Sequence, residues 1–274
     1  MVEDIREKVQ ERYARIATGL GSCCGPAKSG CGCSQPGALS QSVGYSAEEL
    51  QSIPADANLG LGCGNPLALA ALREGETVLD LGSGGGIDCF LAARRVGARG
   101  RVIGVDMTPD MVHLARKNAG RGDYVNVEFR LGEIEHLPVP DGSIDVVISN
   151  CVINLSVDKA QVFREIFRVL KPGGRMMVSD IVLTRELPAA VQKSVAAYTS
   201  CVAGAMTRDD YLQAIRAAAF GHVDILAESG VPIDLWADYP IPVNPHSEEK
   251  ISNELIEEVL GKVISAKVYA EKQK

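Results

Sequence analysis

The sequence predicts an α/β fold: a mostly parallel seven-stranded sheet with helices on both faces. Three observations carry this expectation. From residue 77 onward, short apolar runs rich in Val, Ile and Leu alternate with stretches of helical length. The runs are bounded by Gly, Asp and Pro, which punctuate strands. The first run passes through Asp80 into a glycine cluster, Gly82 to Gly86, that opens a helix.

The elements follow in order. Residues 3–18 place Ile5, Val9, Tyr13 and Ile16 at helical spacing, so an amphipathic helix starts the chain. A Gly/Cys/Ser/Pro-rich stretch over 19–37 has no composition for a packed element and reads as a loop. Ser46 and Glu49 form a capping box for a short helix that Pro54 soon follows. Residues 55–66 are again glycine-rich loop. TVLDLG from 77 is the first strand, 86–97 a helix, and RVIGVD (101–106) the second strand. Thr108 and Pro109 supply an N-cap and first-turn proline for a helix to about 119. VEFRLG (127–132) and DVVISN (145–150) are the third and fourth strands. Asp158 opens a helix to Leu170, which Lys171, Pro172, Gly173 and Gly174 end sharply. RMMVSDIVL (175–183) is the fifth strand. Helices are expected at 188–203 and from Thr207 to Phe220, then strands at 222–229 and 263–272. An acidic helix near 247–261 belongs to a small C-terminal insertion. The organisation expected is therefore an N-terminal helix and Cys-rich segment (1–54), a core (55–230), and an insertion with a final strand (231–274).

Bulk properties exclude several classes of partner. The net charge is −7, and no basic stripe offsets the repulsion of phosphate backbones or anionic lipid. No segment approaches the ~20 consecutive apolar residues that cross a bilayer. The opening MVEDIREKVQERYARI is charged throughout and is no secretory signal. A cytoplasmic location is expected, with neither nucleic acid nor membrane as partner. The eight cysteines are then expected to be mostly free thiols, available to metal, metalloid or redox chemistry. Cys89, inside the run GIDCFLAA, reads as a buried small hydrophobe.

The glycine cluster lets the backbone approach a ligand, and the helix N-terminus behind it presents unpaired N–H groups. Taken alone it is a weak signal, because a tight strand-to-helix turn also accounts for it. Asp106 ends the second strand about 20 residues on, where a carboxylate meets a ribose diol. Glu133 follows the third strand, at the place for an adenine edge. Together with the Lys-Pro-Gly-Gly corner, these features resemble the class I S-adenosylmethionine (SAM) methyltransferases over roughly 55–229. The resemblance implies SAM as cofactor. It implies a donor pocket lined by Asp80, Gly82, Gly84, Gly86, Asp106, Met107, Glu133, Ile134 and Asn150.

Cys151 directly follows the fourth strand, and ligands of open α/β sheets bind at the carboxyl ends of strands. Cys63 lies in a glycine loop before the core, and Cys201 near the end of an alanine-rich helix, where simple packing is the competing reading. NLGLGCGNP, ISNCVINL and SCVAGAM, with SAEELQSIPADANLGLGCGNP as a whole, resemble the cysteine-bearing segments of the arsenic(III) SAM methyltransferases over about 45–229. That resemblance implies arsenite methylation, with Cys63, Cys151 and Cys201 as the substrate-binding and catalytic thiols. As(III) is soft and thiolates are soft donors. Thiols must lose protons on binding, so a depressed thiol pKa would help. The resemblance also implies arsenite or its thiol complexes as substrate, and a thiol reductant such as glutathione or a thioredoxin-like protein.

Cys23, Cys24, Cys31 and Cys33 form a separate cluster that could ligate zinc, although its spacing is not a good zinc-finger match; capture of arsenite, a redox pair and a thiol-rich tail are the other readings. Cys31 and Cys33 are the weaker candidates for arsenic capture. Longer members of the family carry a further C-terminal domain, of which the helix at 247–261 would be a remnant. Two other functions stay open on the residues alone. One is a carbon- or oxygen-directed small-molecule methyltransferase, although His113, His136, His222 and His246 all miss the strand ends. The other is a metalloid-sequestering protein without turnover.

Overall fold

The structure is a computed structural model that describes residues 2–19, 36–66, 70–122, 124–192, 194–231, 258–259 and 261–274. Seven strands form one sheet: β1 (Thr77–Leu81), β2 (Arg101–Asp106), β3 (Val127–Leu131), β4 (Ile144–Asn150), β5 (Leu170–Leu183), β6 (His222–Gly230) and β7 (Val263–Glu271). Their order is β3-β2-β1-β4-β5-β7-β6. The first five run parallel, and β7 lies antiparallel between β5 and β6. The expected mostly parallel, seven-stranded sheet is what forms.

Helices cover both faces because the strands alternate. Val78, Val102, Val146, Ile148 and Met177 pack with Phe90, Leu91 and Val96 of α4 (Ile87–Val96) and Val112 and Ala115 of α5 (Pro109–Arg121). Leu79, Leu81, Ile103, Val105, Val147 and Val178 turn the other way. They meet Val162, Phe163 and Ile166 of α6 (Lys159–Val169) and Tyr211 and Ile215 of α9 (Arg208–Ala217). α6 starts where Asp158 accepts a hydrogen bond from Gln161 N at 2.9 Å, and Thr207 does the same for α9 through Asp210 N. At the chain start, α1 (Val2–Ala17), α2 (Pro36–Ser42) and α3 (Ala47–Gln51) precede the sheet, and the Ser46–Glu49 capping box of α3 is present. Among the described residues no helix is long and apolar enough to cross a membrane.

Several local expectations are corrected. The helix expected at 188–203 is broken into α7 (Ala189–Gln192) and α8 (Val195–Thr199). Ser194 caps the second piece through Ala197 N, a competing hydrogen bond that starts a new helix instead of continuing the old one. Cys201 therefore lies beyond the helix, in left-handed backbone with φ +65°. β5 begins at Leu170, not 175: Lys171 to Gly174 loop out within the strand as an irregularity between the pairs Ile144–Leu170 and Val146–Arg175. Thr108 makes no side-chain cap; its N–H instead donates to Asp106 Oδ1 at 2.9 Å. α2 has no expected counterpart. The helix expected at 247–261 lies largely outside the described residues, as do Cys23, Cys24, Cys31 and Cys33.

Candidate active site

A cleft enclosing about 1090 Å³ of non-protein space, its open mouth included, runs across the carboxyl ends of β1, β2 and β4. The glycine loop forms its floor. Where a Cβ would stand at Gly84 there is no atom within 4 Å, so the backbone faces open space. At Gly82 (φ +66°) a Cβ would strike Val152, so only glycine fits. Gly86 is different: its missing Cβ would meet the Phe90 and Phe129 rings, so this glycine serves packing and lies off the cleft wall.

Asp106 sits where β2 ends, accepting from Gly84 N and Thr108 N at 2.9 Å each. These bonds tie the glycine loop to the second strand and leave carboxylate lone pairs for a diol. Met107 and Ile134 flank it on the cleft wall. Glu133 is not part of the cleft wall; it pairs at 3.3 Å with Arg6, which lines the cleft together with Glu135.

The inner end of the cleft is lined by buried carboxyl groups. Asp80 and Asp88 are both buried, and burial pushes both acids up, Asp88 to about 6. Asp88 accepts from Tyr45 OH at 2.7 Å, and Asn150 Nδ2 donates to that same hydroxyl oxygen at 2.9 Å. Among the described residues, the buried Ser83 Oγ has no hydrogen-bond partner. Buried carboxylates and an unsatisfied hydroxyl around an open cleft suit a polar, cationic ligand, and the methionine end of SAM carries both an ammonium and a sulfonium. The residues present fit SAM.

Asn150 links this end to the cysteines. Its Nδ2 donates to Gly64 O at 2.7 Å and its Oδ1 accepts from Cys63 N at 3.1 Å. A Cβ on Gly64 would collide with Ser179 Oγ, so the glycines around Cys63 let that loop lie flat on β4 and β5. Ser265 Oγ of β7 pins the same loop by donating to Cys63 O at 2.8 Å. Cys151 stands at the end of β4 with φ +60°, its N–H donating to Ser179 O at 2.8 Å. Cys201 Sγ donates to Cys151 O at 2.9 Å.

Cys63, Cys151 and Cys201 thus converge from three separate segments into one buried cluster. Of the three, Cys151 lines the cleft and the other two stand behind it. One expectation about their chemistry is corrected. Cys63 and Cys151 are not free thiols but a disulfide, with Cα atoms 5.9 Å apart. Cys201 is a free thiol whose pKa is not depressed: burial, reinforced by nearby Asp180, pushes it up to about 12. Cys89 is a buried free thiol beside Asp80, as its apolar surroundings indicated.

Sequence reasoning missed three groups. Tyr45 and Asp88 belong to the cleft, and Asp88 had one legible signal, a carboxylate in the first turn behind the glycines. α1 also reaches the site. Its Arg6, Val9 and Tyr13 line the cleft, Gln10 Nε2 donates to Met107 O at 3.1 Å, and Arg12 donates to Thr199 and Ser200 beside Cys201. Asp180 on β5 is buried completely, with burial raising its pKa to about 7.

Comparison with known proteins is consistent with this geometry. A family model described as a methyltransferase domain matches residues 72–219. An arsenite methyltransferase of Halobacterium salinarum is 53% identical over 231 residues, covering 81% of this chain and 59% of that protein. The Homo sapiens arsenite methyltransferase is 39% identical over 172 residues, covering 58% of this chain and 44% of that protein. The chain thus spans about three-fifths or less of the length of these curated relatives. The crystal structure of an arsenic(III) S-adenosylmethionine methyltransferase from Chlamydomonas reinhardtii superposes with a TM-score of 0.62 at 33% identity. The match covers 86% of this chain and 73% of that one.

Proposed function

This chain belongs to the arsenic(III) S-adenosylmethionine methyltransferase family, and from that membership we propose that it methylates thiolate-bound As(III). The observation that carries the reading is the convergence of Cys63, Cys151 and Cys201 into one buried cluster that meets the cleft through Cys151. Gly82 to Gly85 and Asp106 would hold the nucleoside of SAM, Met107 and Ile134 its base, and Asp80, Asp88 and Asn150 its methionine end. When bound, SAM supplies an electrophilic methyl group on a sulfonium.

The protein's own part is placement. Three thiolates around As(III) leave it a lone pair, so no base is needed to create the nucleophile. The glycine loop carrying Cys63 and the turns carrying Cys151 and Cys201 bring the sulfurs into one cluster, the loop held by Asn150 and Ser265. Holding reacting atoms about 3–3.5 Å apart supplies several kcal/mol of the barrier. Methylation formally oxidises arsenic by two electrons, and two thiols can return them by closing a disulfide. The Cys63–Cys151 bridge fits that oxidised state. A dithiol reductant, thioredoxin-like or with glutathione, must then give two electrons and two protons to reopen the site. Such chemistry suits a reducing compartment, in keeping with the expected cytoplasm.

The deciding measurement is S-adenosylhomocysteine release by the reduced protein, with and without arsenite. Release is expected to require arsenite. Cys151→Ser or Cys201→Ser should lower it by at least 100-fold while SAM affinity stays within twofold. Turnover that ignores arsenite and survives both substitutions would point instead to a carbon or oxygen acceptor. Tight arsenite binding without release would point to sequestration.

A further inference from the structure

Tyr45 lies just ahead of the Ser46 cap of α3, and its ring is buried in the core beneath α4. Its hydroxyl stands between two groups with different duties. It donates to Asp88 Oδ1 at 2.7 Å and accepts from Asn150 Nδ2 at 2.9 Å. Asn150 in turn grips the loop that carries Cys63. Its Oδ1 accepts from Cys63 N at 3.1 Å, and its Nδ2 donates to Gly64 O at 2.7 Å. A Cβ on Gly62 would stand 2.6 Å from Asn150 Nδ2, so this glycine lets the loop close on the amide. Beside this grip, Asn65 Nδ2 donates to Gly44 O at 3.2 Å, tying the neighbour of Tyr45 to the same loop.

The hydrogen count shows what the hydroxyl does. An amide nitrogen carries two hydrogens. One goes to Gly64 O and the other to the Tyr45 oxygen. Without that oxygen the second N–H would have Asp88 Oδ2, 3.4 Å away, as its alternative acceptor. Asp88 would have lost its tyrosine donor at the same moment. A hydrogen bond to a carboxylate is about twice as strong as one to a neutral carbonyl. The amide would therefore be drawn toward Asp88 and off the loop. Resting on the reading of Cys63 as an arsenic ligand, we propose that Tyr45 is a positioning residue of the arsenic site: its hydroxyl separates Asn150 from Asp88 and so keeps the Asn150 amide on the Cys63 loop. One hydroxyl satisfies both neighbours, as donor to the acid and acceptor from the amide. The grip on the loop is through main-chain N–H and C=O groups, so it persists when the Cys63 sulfur gives up its proton to arsenic.

The test is Tyr45→Phe in the reduced full chain, which keeps the ring and removes one oxygen. Affinities for arsenite and for S-adenosylhomocysteine are measured by calorimetry. Arsenite affinity is expected to fall at least fivefold, and at least threefold more than S-adenosylhomocysteine affinity. Asn150→Ala should weaken arsenite binding by at least as much. Adding Tyr45→Phe to Asn150→Ala should then change arsenite affinity less than twofold, because the hydroxyl has no amide left to hold. Without arsenite, Tyr45→Phe should also speed alkylation of Cys63 by iodoacetamide at least fivefold, read by peptide mass mapping. Unchanged arsenite affinity, additive effects of the two substitutions, or an equal loss for both ligands overturns the proposal. Loss of the cooperative urea transition in Tyr45→Phe assigns the hydroxyl to the fold and overturns it too. Failure of the unsubstituted reduced chain to bind arsenite overturns the functional reading instead, and the Cys63 labelling rate then decides whether Tyr45 holds the loop.

Discussion

Cys151 and Cys201 both occupy left-handed backbone, at φ +60° and +65°. Such a conformation costs a non-glycine residue about 1–3 kcal/mol. Glycine would take either turn freely; the residue kept there carries sulfur instead. Burial makes the Cys201 thiol a poor acid, raised to about 12, so at pH 8 it stays protonated. Iodoacetamide is expected to label Cys201 at pH 8 at least 100-fold more slowly than a short cysteine peptide, read by peptide mass mapping. Labelling at the peptide's rate would show an accessible thiol. Asp88 makes a second prediction. Its acid is raised from 3.8 to about 6, chiefly by burial, with Tyr45, Asn150, Glu49, Arg95 and Asp80 also acting on the buried pair. Between these values the folded state holds a proton that the unfolded chain has released. The associated stability is complete below about pH 4 and is lost as pH rises through 6. Asp88→Asn should flatten this part of the stability–pH curve by up to ~1.4 kcal/mol per pH unit, measured as urea midpoints. An unchanged slope would mean that Asp88 ionises normally.

At the scale of elements, α1 has the largest unforeseen role. Its apolar spacing was plain, but periodicity says only that a face is covered, not what covers it. In the fold α1 spans both halves of the site, from Met107 and Glu133 on the donor side to Thr199 and Ser200 beside Cys201. A chain lacking residues 2–17 is expected to bind S-adenosylhomocysteine at least tenfold more weakly and to expose Cys201 to alkylation. Unchanged affinity and labelling would reduce α1 to a surface helix. The break between α7 and α8 shows why element boundaries escaped sequence reading. Alanines and valines on both sides favour one continuous helix, and a single serine side chain bonding to Ala197 N outweighs them locally. The irregularity at Lys171 to Gly174 is similar: a turn composition was read correctly, yet pairing with β4 resumes on both sides of it.

For the whole molecule, β7 is the strand on which closure of the sheet depends. Its register pairs run along β5 from Arg175–Glu271 to Leu183–Val263, and it also carries β6. Ser265 on β7 also holds the Cys63 loop. A chain ending at residue 262 is therefore expected to lose cooperative unfolding by urea and to lose arsenite binding together. Retention of a sharp transition would show that β1 to β5 fold without it. This dependence is not visible in sequence, since β7 pairs with strands well before it and its Ser265 holds a loop near the other end of the chain.

The sequence by itself determined the order of strands and helices, the glycine loop, Asp106, and which three cysteines belong together. Periodicity, turn chemistry and segment resemblance are local properties that a linear reading contains. Only the tertiary structure decided that Cys63 and Cys151 are bonded to each other and that Cys201 is a weak acid. It also decided that Asp180 stands beside the two bonded sulfurs and that α1 roofs the cleft. Each of these depends on proximity and desolvation between residues distant in the chain, and both arise only when strands and loops are packed together.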